Sequence, residues 1–265
     1  MSTEDIGTVN SEGMDLLRAQ GIDPSRKDQI QILRPDWDIP GVDAGFTLRT
    51  GGVSKPPYDS LNLAMHVGDD PDDVRENRRR LVEHAGLPEE PRWLKQVHGN
   101  RVVHASEVER DVTEADAVWT DQPGQVCAVM VADCVPILLA AKDGSCVAAI
   151  HAGWRGLAAG VIEKVLALMP FEAKEISAWI GPAIPPACYP VGHDVFSAFL
   201  EKSKLQAVEN RLDLAETARK ILKSERPQGK ALKLDSTATF YKWQCYSMRR
   251  DGRTGRSACY INKSL

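Results

Sequence analysis

The apolar positions are densest in the middle of the chain. Residues 126–132, 135–141 and 146–151 form three short runs, apolar almost throughout, with only a few polar or turn-forming residues between them. Runs this short, with no polar face to offer water, predict strands buried on both sides. Residues 45–50, GFTLRT, alternate like a half-buried strand and stop at Gly51-Gly52. A helix is announced at 70–86: Asp70 suits the cap, Pro71 the first helical position, and Asp72 and Asp73 complement the dipole. Val74, Leu81, Val82 and Ala85 then share a face, and Gly86 ends it. Residues 92–98 and 101–105 read as strands around Gly99-Asn100, 157–169 as an apolar helix, and 176–181 as a strand. Residues 194–202 read as a helix and 243–261 as a closing hairpin. Residues 1–28 are polar, with at most a short helix over MDLLRAQ, and are expected to form a loosely attached tail. From 29 to 265 there is no linker, repeat or low-complexity block, which argues for one domain. Strands mixed with helices and hairpins predict an α/β or α+β fold on a largely antiparallel sheet.

Composition narrows the function classes. With 265 residues, 43% hydrophobic and 26% charged, the chain is an ordinary globular one. Its net charge of -4 lacks the basic field that nonspecific nucleic-acid binding needs. No apolar run reaches membrane-helix length, and the polar, acidic start does not resemble a secretory signal. Six cysteines without a CxxC pair read as reduced thiols, so the cytoplasm is the expected compartment.

The stretch MVADCVPILLAAKDGSCVAAIHAGWRG carries the chemistry. Asp143-Gly144 between two apolar runs predicts a two-residue type I′ hairpin turn. Lys142 then faces Ser145, which places His151 opposite Pro136 and Cys134 opposite Gly153. Cys134 and Pro136 share a face, so Cys134 and His151 are diagonal neighbours about 7–8 Å apart at the backbone. A converging thiol and imidazole fit a zinc site with an open position or a histidine-activated cysteine nucleophile. A buried cysteine near a strand-end histidine is the plain packing alternative. Gly153, Gly156 and Arg155, just before an apolar helix, suggest an anion cradle; glycines serving only the turn are the competing reading.

At this point the motifs become recognisable. FTLRTGGVS, LNLAMHVGDDPDDVRENRRRL, KQVHGNRV, ADAVWT, VADCVPILL, IHAGWRG, IGPAI with CYPVG, and RRDGRTGR occur in an order that resembles the laccase-domain family. That family has been described as multicopper polyphenol oxidoreductases and as purine nucleoside phosphorylases, and its bacterial members also as peptidoglycan editing factors. The resemblance spans residues 43–261. It implies a single-domain, layered α/β/β/α sandwich with largely antiparallel or mixed sheets. It also implies one zinc ion on His98, Cys134 and His151; copper could occupy the same three ligands, since it outcompetes zinc at N/S donors. The implied activity is phosphorolysis of adenosine, inosine, guanosine and methylthioadenosine, with adenosine deamination alongside. Two departures stand out: Pro190 where members often carry Glu, and Ser236-Thr237 where Cys-Thr is common.

The same resemblance puts Arg49, Asn62 and His66 near the site as candidates for phosphate or ribose. Arg155 joins them from the glycine turn, since a fork-shaped guanidinium suits phosphate. Arg49 also reads as a solvated strand-end charge and His66 as loop packing. Asp133 is a candidate to move protons or orient a ligand, or simply a strand-end acid. His84 reads as a helix-end cation, His104 as strand surface, His193 as a helix start, and Arg249, Arg250, Arg253 and Arg256 as a solvated cluster. Six histidines with no HxH pair cannot furnish a four-copper oxidase, and neither HExxH nor the HxE…PCxxC of zinc deaminases is present. The expected mechanism is metal-assisted displacement with phosphate charge neutralised by Arg155, Arg49 and the glycine turn. The competing enzyme is a cysteine hydrolase or amidase acting on a cell-wall precursor, with Cys134 as nucleophile and His151 as base; a copper-loaded polyphenol oxidase is a further alternative, and a noncatalytic module is the third class.

Overall fold

The structure is a computed structural model that describes residues 22–23, 25–170, 176–200, 211–225, 234–236 and 244–264. The expected helix over MDLLRAQ and the end of the 194–202 helix lie outside the described residues, as does Thr237. Ile22 is buried against the core.

Two sheets pack face to face. One has four strands in the order β1 (Ile32–Leu33), β2 (Val42–Thr47), β10 (Ser257–Lys263), β5 (Val126–Val131). The other has six: β3 (Val102–His104), β4 (Ala117–Thr120), β7 (Val147–Ala152), β6 (Val135–Ala141), β8 (Ile176–Ile180), β9 (Leu234–Ser236). Pairing is antiparallel except β3 with β4 and β8 with β9. Alternation along each strand sorts side chains into three layers. Val129, Val131, Leu138, Ala140, Ala149, Cys259 and Ile261 fill the space between the sheets. Ile137, Leu139, Ala148 and Ile150 face outward beneath α2 (Trp154–Ala158), α3 (Val161–Leu168) and α5 (Leu214–Ser224). Ala128, Met130, Ala258 and Tyr260 face the other way, under α1 (Pro71–Ala85). The result is the α/β/β/α sandwich.

Helix α1 follows its sequence signals: the Asp70 side chain accepts from the Asp72 N–H, Pro71 opens the helix, and Gly86 closes it at φ 64°. Its buried face also carries Asn77 and Arg78. Asn77 accepts from the Val53 N–H and donates to Ser54 Oγ, Ser60 O and Asn62 O, which fastens the 53–62 loop to the helix.

Four local readings are corrected. The β6–β7 loop is not type I′: only Gly144 has positive φ, the Gly144 N–H bonds Ala141 O, and Ala141 pairs with Cys146 around a four-residue loop. The register is unchanged, His151 facing Pro136, because both loops keep the same sum for facing residues. The helix expected over 157–169 is two, α2 and α3, broken where Gly160 adopts φ 81°. Residues 92–98 form only isolated bridges, since the Gln96 side chain takes both the N–H and the carbonyl of Met130 that a strand would have used. Residues 243–261 are no hairpin: β10 has β2 and β5 on its two edges, and the preceding chain turns into the short helix α6 (Met248–Asp251).

Candidate metal centre

Strands β5 and β6 lie in different sheets, and Ala132, Asp133 and Cys134 carry the chain across. Asp133 makes the step in the left-handed region, φ 89°, at a cost of about 1–2 kcal/mol for a side-chain-bearing residue. Its carboxylate fixes the step: Oδ1 accepts from Ser247 Oγ at 2.6 Å and Oδ2 from the Arg249 N–H at 2.9 Å. With one hydrogen bond on each oxygen, Asp133 holds the crossing in place. Cys134 follows, half-buried on the face that looks between the sheets. His151 projects from β7 on the same face, and His98 reaches in from the loop after Leu94. One ligand atom from each of His98, Cys134 and His151 lies within 4.8 Å of the others. Among the described residues this is the one such group of metal-ligating side chains. The two imidazoles meet edge to face at 4.8 Å between centroids.

Asp116 holds the group together, and it is fully buried at the start of β4. Oδ1 accepts from the His98 N–H at 2.9 Å and bonds His151 Nδ1 at 2.7 Å. Oδ2 accepts from the Val97 N–H at 3.2 Å and the Gly99 N–H at 2.7 Å. One carboxylate therefore folds the loop that presents His98, itself at φ 59°, and orients the ring of His151. With Nδ1 engaged, Nε2 is the nitrogen left for a ligand. Gly153 completes the floor. A Cβ at Gly153 would lie 3.1 Å from Cys134 Sγ and 3.2 Å from His98 Cδ2.

The electrostatics favour a charged pair. Burial pushes the Cys134 thiol up, but His151 and then His98 outweigh it and bring the thiol down to about 6. Burial would lower His151, yet Cys134 and Asp116 together raise it above its usual value. Burial likewise works against an ionised Asp116, but His151 and the Gly99 and Val97 amides hold it below the usual carboxylate range. A thiolate beside an imidazole backed by a carboxylate suits either a metal or nucleophilic work.

The other sequence candidates fall in different places. Arg49 is enclosed: Nε donates to Asp59 O, the guanidinium pairs with Asp59 at 3.2 Å and Asp251 at 3.8 Å, and it lies over the Tyr246 ring. Asn62 is fully buried, its amide spent on Ala64, Asp69 and the Arg256 N–H, so it presents nothing to a ligand. His66 stands exposed in the 3-10 turn Met65–Val67, its pKa lowered by desolvation and then by Arg256. Arg155 is exposed and stacked on Trp154, and Gly156 sits inside α2 with its Cα side against Gly99 O, so packing rather than anion binding explains that glycine. Tyr189 lies in the electrostatic reach of Cys134, Arg249 and Arg155. Pro190 is exposed and forms an isolated bridge with Arg211. His84 ends α1, His104 stacks edge-on with Trp119, and His193 starts α4 (His193–Leu200). An apolar cavity of about 280 Å³ opens beside Asp133 between Phe46, Ile184, Cys245 and Tyr246, and none of the three ligand residues lines it.

Sequence reasoning missed Asp116 and the role of Gly153. Only the last had a readable signal, since the hairpin register already sets Gly153 opposite Cys134.

A family model described as multi-copper polyphenol oxidoreductase laccase matches residues 43–264. The purine nucleoside phosphorylase YfiH of Escherichia coli (strain K12) is 41% identical over 243 residues, covering 87% of this chain and 98% of that protein. The purine nucleoside phosphorylase PA4543 of Pseudomonas aeruginosa is 50% identical over 169 residues, 63% of this chain and 68% of that one. Among solved structures, Neisseria meningitidis protein NMB0706 is similar with TM-score 0.78 and 38% identity, over 88% of this chain and 99% of its own. YlmD from Geobacillus stearothermophilus has TM-score 0.78 and 30% identity, over 90% and 100%.

Proposed function

This chain belongs to the multi-copper polyphenol oxidoreductase laccase family, and within it we propose that the protein is a zinc-dependent purine nucleoside phosphorylase. The observation that carries the reading is the convergence of His98, Cys134 and His151 on one point, with Asp116 locking the second imidazole. The names of the relatives in Escherichia coli and Pseudomonas aeruginosa support the reaction class.

The donor set fits zinc. A tetrahedral ion at about 2.3 Å from sulfur and about 2.0–2.1 Å from nitrogen spaces its donors by roughly 3.3–3.6 Å. Three atoms within 4.8 Å close to that spacing with a shift of about an ångström. Two nitrogens and one thiolate leave a fourth position free, the pattern of catalytic rather than structural zinc. Copper suits the same donors, and the family's description follows from that affinity more readily than from a four-copper cluster, for which the chain's six histidines offer no HxH pair. When bound, the ion would be held by His98, Cys134 and His151 and would supply a Lewis acid.

The substrates we assign are adenosine, inosine, guanosine and methylthioadenosine. A phosphate oxygen forms a bond to C1′ as the C1′–N9 bond breaks. The electron pair leaves with the purine, which takes a proton, and ribose (or methylthioribose) 1-phosphate results. Arg155, at the open edge, offsets phosphate charge, while Asp133 and Asp116 hold the crossing and the histidine loop in place. Adenosine deamination belongs to the same centre: water adds at C6 and ammonia leaves. Six free cysteines suit a reducing cytoplasm, and no helix among the described residues is long and apolar enough to cross a membrane.

A second reading has one observation in its favour. Cys134, His151 and Asp116 also match the order of groups in a cysteine hydrolase, with a lowered thiol, an imidazole and an orienting carboxylate. His98 has no task in that scheme. The test is to strip the metal and titrate zinc back while following ribose 1-phosphate release from inosine. Activity returning with one equivalent supports the phosphorylase; full phosphate-dependent turnover without metal overturns it, and amide cleavage that survives stripping establishes the hydrolase.

A further inference from the structure

Arg256 is half-buried, and among the described residues its guanidinium has no carboxylate partner. Pairing of β10 with β5 runs Ser257 against Val131, so Arg256 stands one step beyond, beside Ala132 and the crossing that delivers Cys134. Its backbone is anchored: the N–H donates to Asn62 Oδ1 at 3.0 Å, and its carbonyl accepts from the Leu63 N–H at 3.4 Å. Its Nη1 donates to Thr254 O and Gly255 O, both at 2.9 Å. Nε and Nη2 have no acceptor among the described residues. Arg49, Arg78 and Arg250, by contrast, are each answered by a carboxylate: Asp59, Asp111 and Asp251.

A half-buried guanidinium that stays charged and lacks a counter-charge is costly, because desolvation has no compensating partner. Desolvation indeed lowers the pKa of Arg256, and the acidic groups whose field reaches it are Asp133 and Cys134. Asp133 bonds Ser247 and the Arg249 N–H rather than the Arg256 guanidinium, and Cys134 belongs to the triad. Arg155 and Arg249 likewise have no carboxylate partner among the described residues, but they are exposed and stacked on Trp154 and Tyr189, whereas Arg256 is half-buried.

We propose that Arg256 is the phosphate seat of the site, its unpaired Nε–Nη2 edge receiving two oxygens of the tetrahedral anion beside the His98–Cys134–His151 group. This rests on the phosphorylase reading and gives Arg256 the direct contact that sequence reasoning shared among Arg49, Arg155 and the glycine turn, with Arg155 left as an exposed charge at the edge. A planar fork matches two phosphate oxygens, which a lysine ammonium cannot do. The anion is inorganic phosphate serving as co-substrate; the phosphate ester of a nucleotide offers the same chemistry and is the competing source.

The test measures direct binding of inorganic phosphate, and separately of adenosine 5′-monophosphate, to purified protein of known metal content. Arg256→Gln and Arg256→Lys are compared with wild type, and Arg75→Gln serves as a control for loss of one surface charge. Arg256→Gln is expected to weaken phosphate binding at least tenfold, with the KM for inosine within twofold and metal content unchanged. Arg256→Lys recovers part of that loss, and Arg75→Gln binds phosphate as wild type does. Phosphate binding equal to wild type in Arg256→Gln overturns the assignment. So does loss of metal and of thermal stability together with phosphate binding, unrescued by lysine, because that marks a structural role. A site that holds the monophosphate and not inorganic phosphate overturns it as well. Wild-type protein that binds phosphate through Arg256 yet releases no base upholds the seat and removes the phosphorylase reading.

Discussion

Replacing Asp116 with Asn changes neither volume nor shape, but it removes a charge and turns one acceptor oxygen into a donor. In the native site Oδ1 serves His98 and His151, while Oδ2 serves Val97 and Gly99. Turned one way, its NH₂ group faces the Val97 and Gly99 N–H donors; turned the other, it faces the His98 N–H and His151 Nδ1. Hydrogen bonds to a charged acceptor contribute about 1.5–3 kcal/mol each. Removing one partner of a buried ion pair costs about 3–5 kcal/mol, so the metal-free variant is expected to lose about that much stability. The ligand geometry suffers separately. An amide donor opposite His151 Nδ1 drives the ring proton to Nε2, the nitrogen needed for coordination. Loss of such an orienting partner lowers metal affinity about 10–100-fold. Zinc competition against a fluorescent chelator measures the second effect and urea unfolding the first. An Asp116→Asn protein that keeps wild-type zinc affinity and loses less than about 1 kcal/mol of stability refutes the role given to Asp116.

Gly153→Ala isolates the floor of the site. Gly153 sits at φ -69° and ψ 164°, which alanine adopts freely, so the backbone is not strained. The added methyl meets Cys134 Sγ and His98 Cδ2 at 3.1–3.2 Å, and zinc affinity should fall at least tenfold with unfolding stability nearly unchanged. A variant with native affinity contradicts the packing. The lowered Cys134 thiol predicts that its alkylation by iodoacetamide in metal-free protein, followed by peptide mass mapping, rises with pH through about 6. An ordinary thiol instead turns on near about 8.5. The sign is fixed by the thiolate being the reactive form: acidification below the midpoint protects Cys134. A midpoint at the ordinary value shows that His151 and His98 do not stabilise the anion.

How much of this was legible in the sequence follows from the range of each interaction. The pairing of Cys134 with His151 came from local arithmetic, and it survived a wrong turn type because the sum of facing residues did not change. The α1 signals are likewise local and held to the residue, from Asp70 to Gly86. Where a side chain replaced a backbone partner, the pattern misled: Gln96 took Met130's hydrogen bonds, and an apolar stretch that reads as a strand stayed a loop. His98 was reachable only through resemblance, since what brings it to the site is a carboxylate 18 residues further on. Arg49 and Arg256 look alike in sequence. Their difference lies in which acids fold back onto them, Asp59 and Asp251 onto the first and, among the described residues, none onto the second.

One ion held by one thiolate and two imidazoles is the claim on which the chemistry turns. Cobalt substitution reads this directly, because thiolate-to-cobalt charge transfer appears only when sulfur is a ligand. Wild-type protein titrated with Co²⁺ should develop that band to a plateau at one equivalent, with a tetrahedral visible spectrum. Cys188→Ser, which alters an exposed thiol, should leave the band intact, and Cys134→Ser should abolish it. A band of equal strength in Cys134→Ser, or none in wild type, contradicts the centre described here.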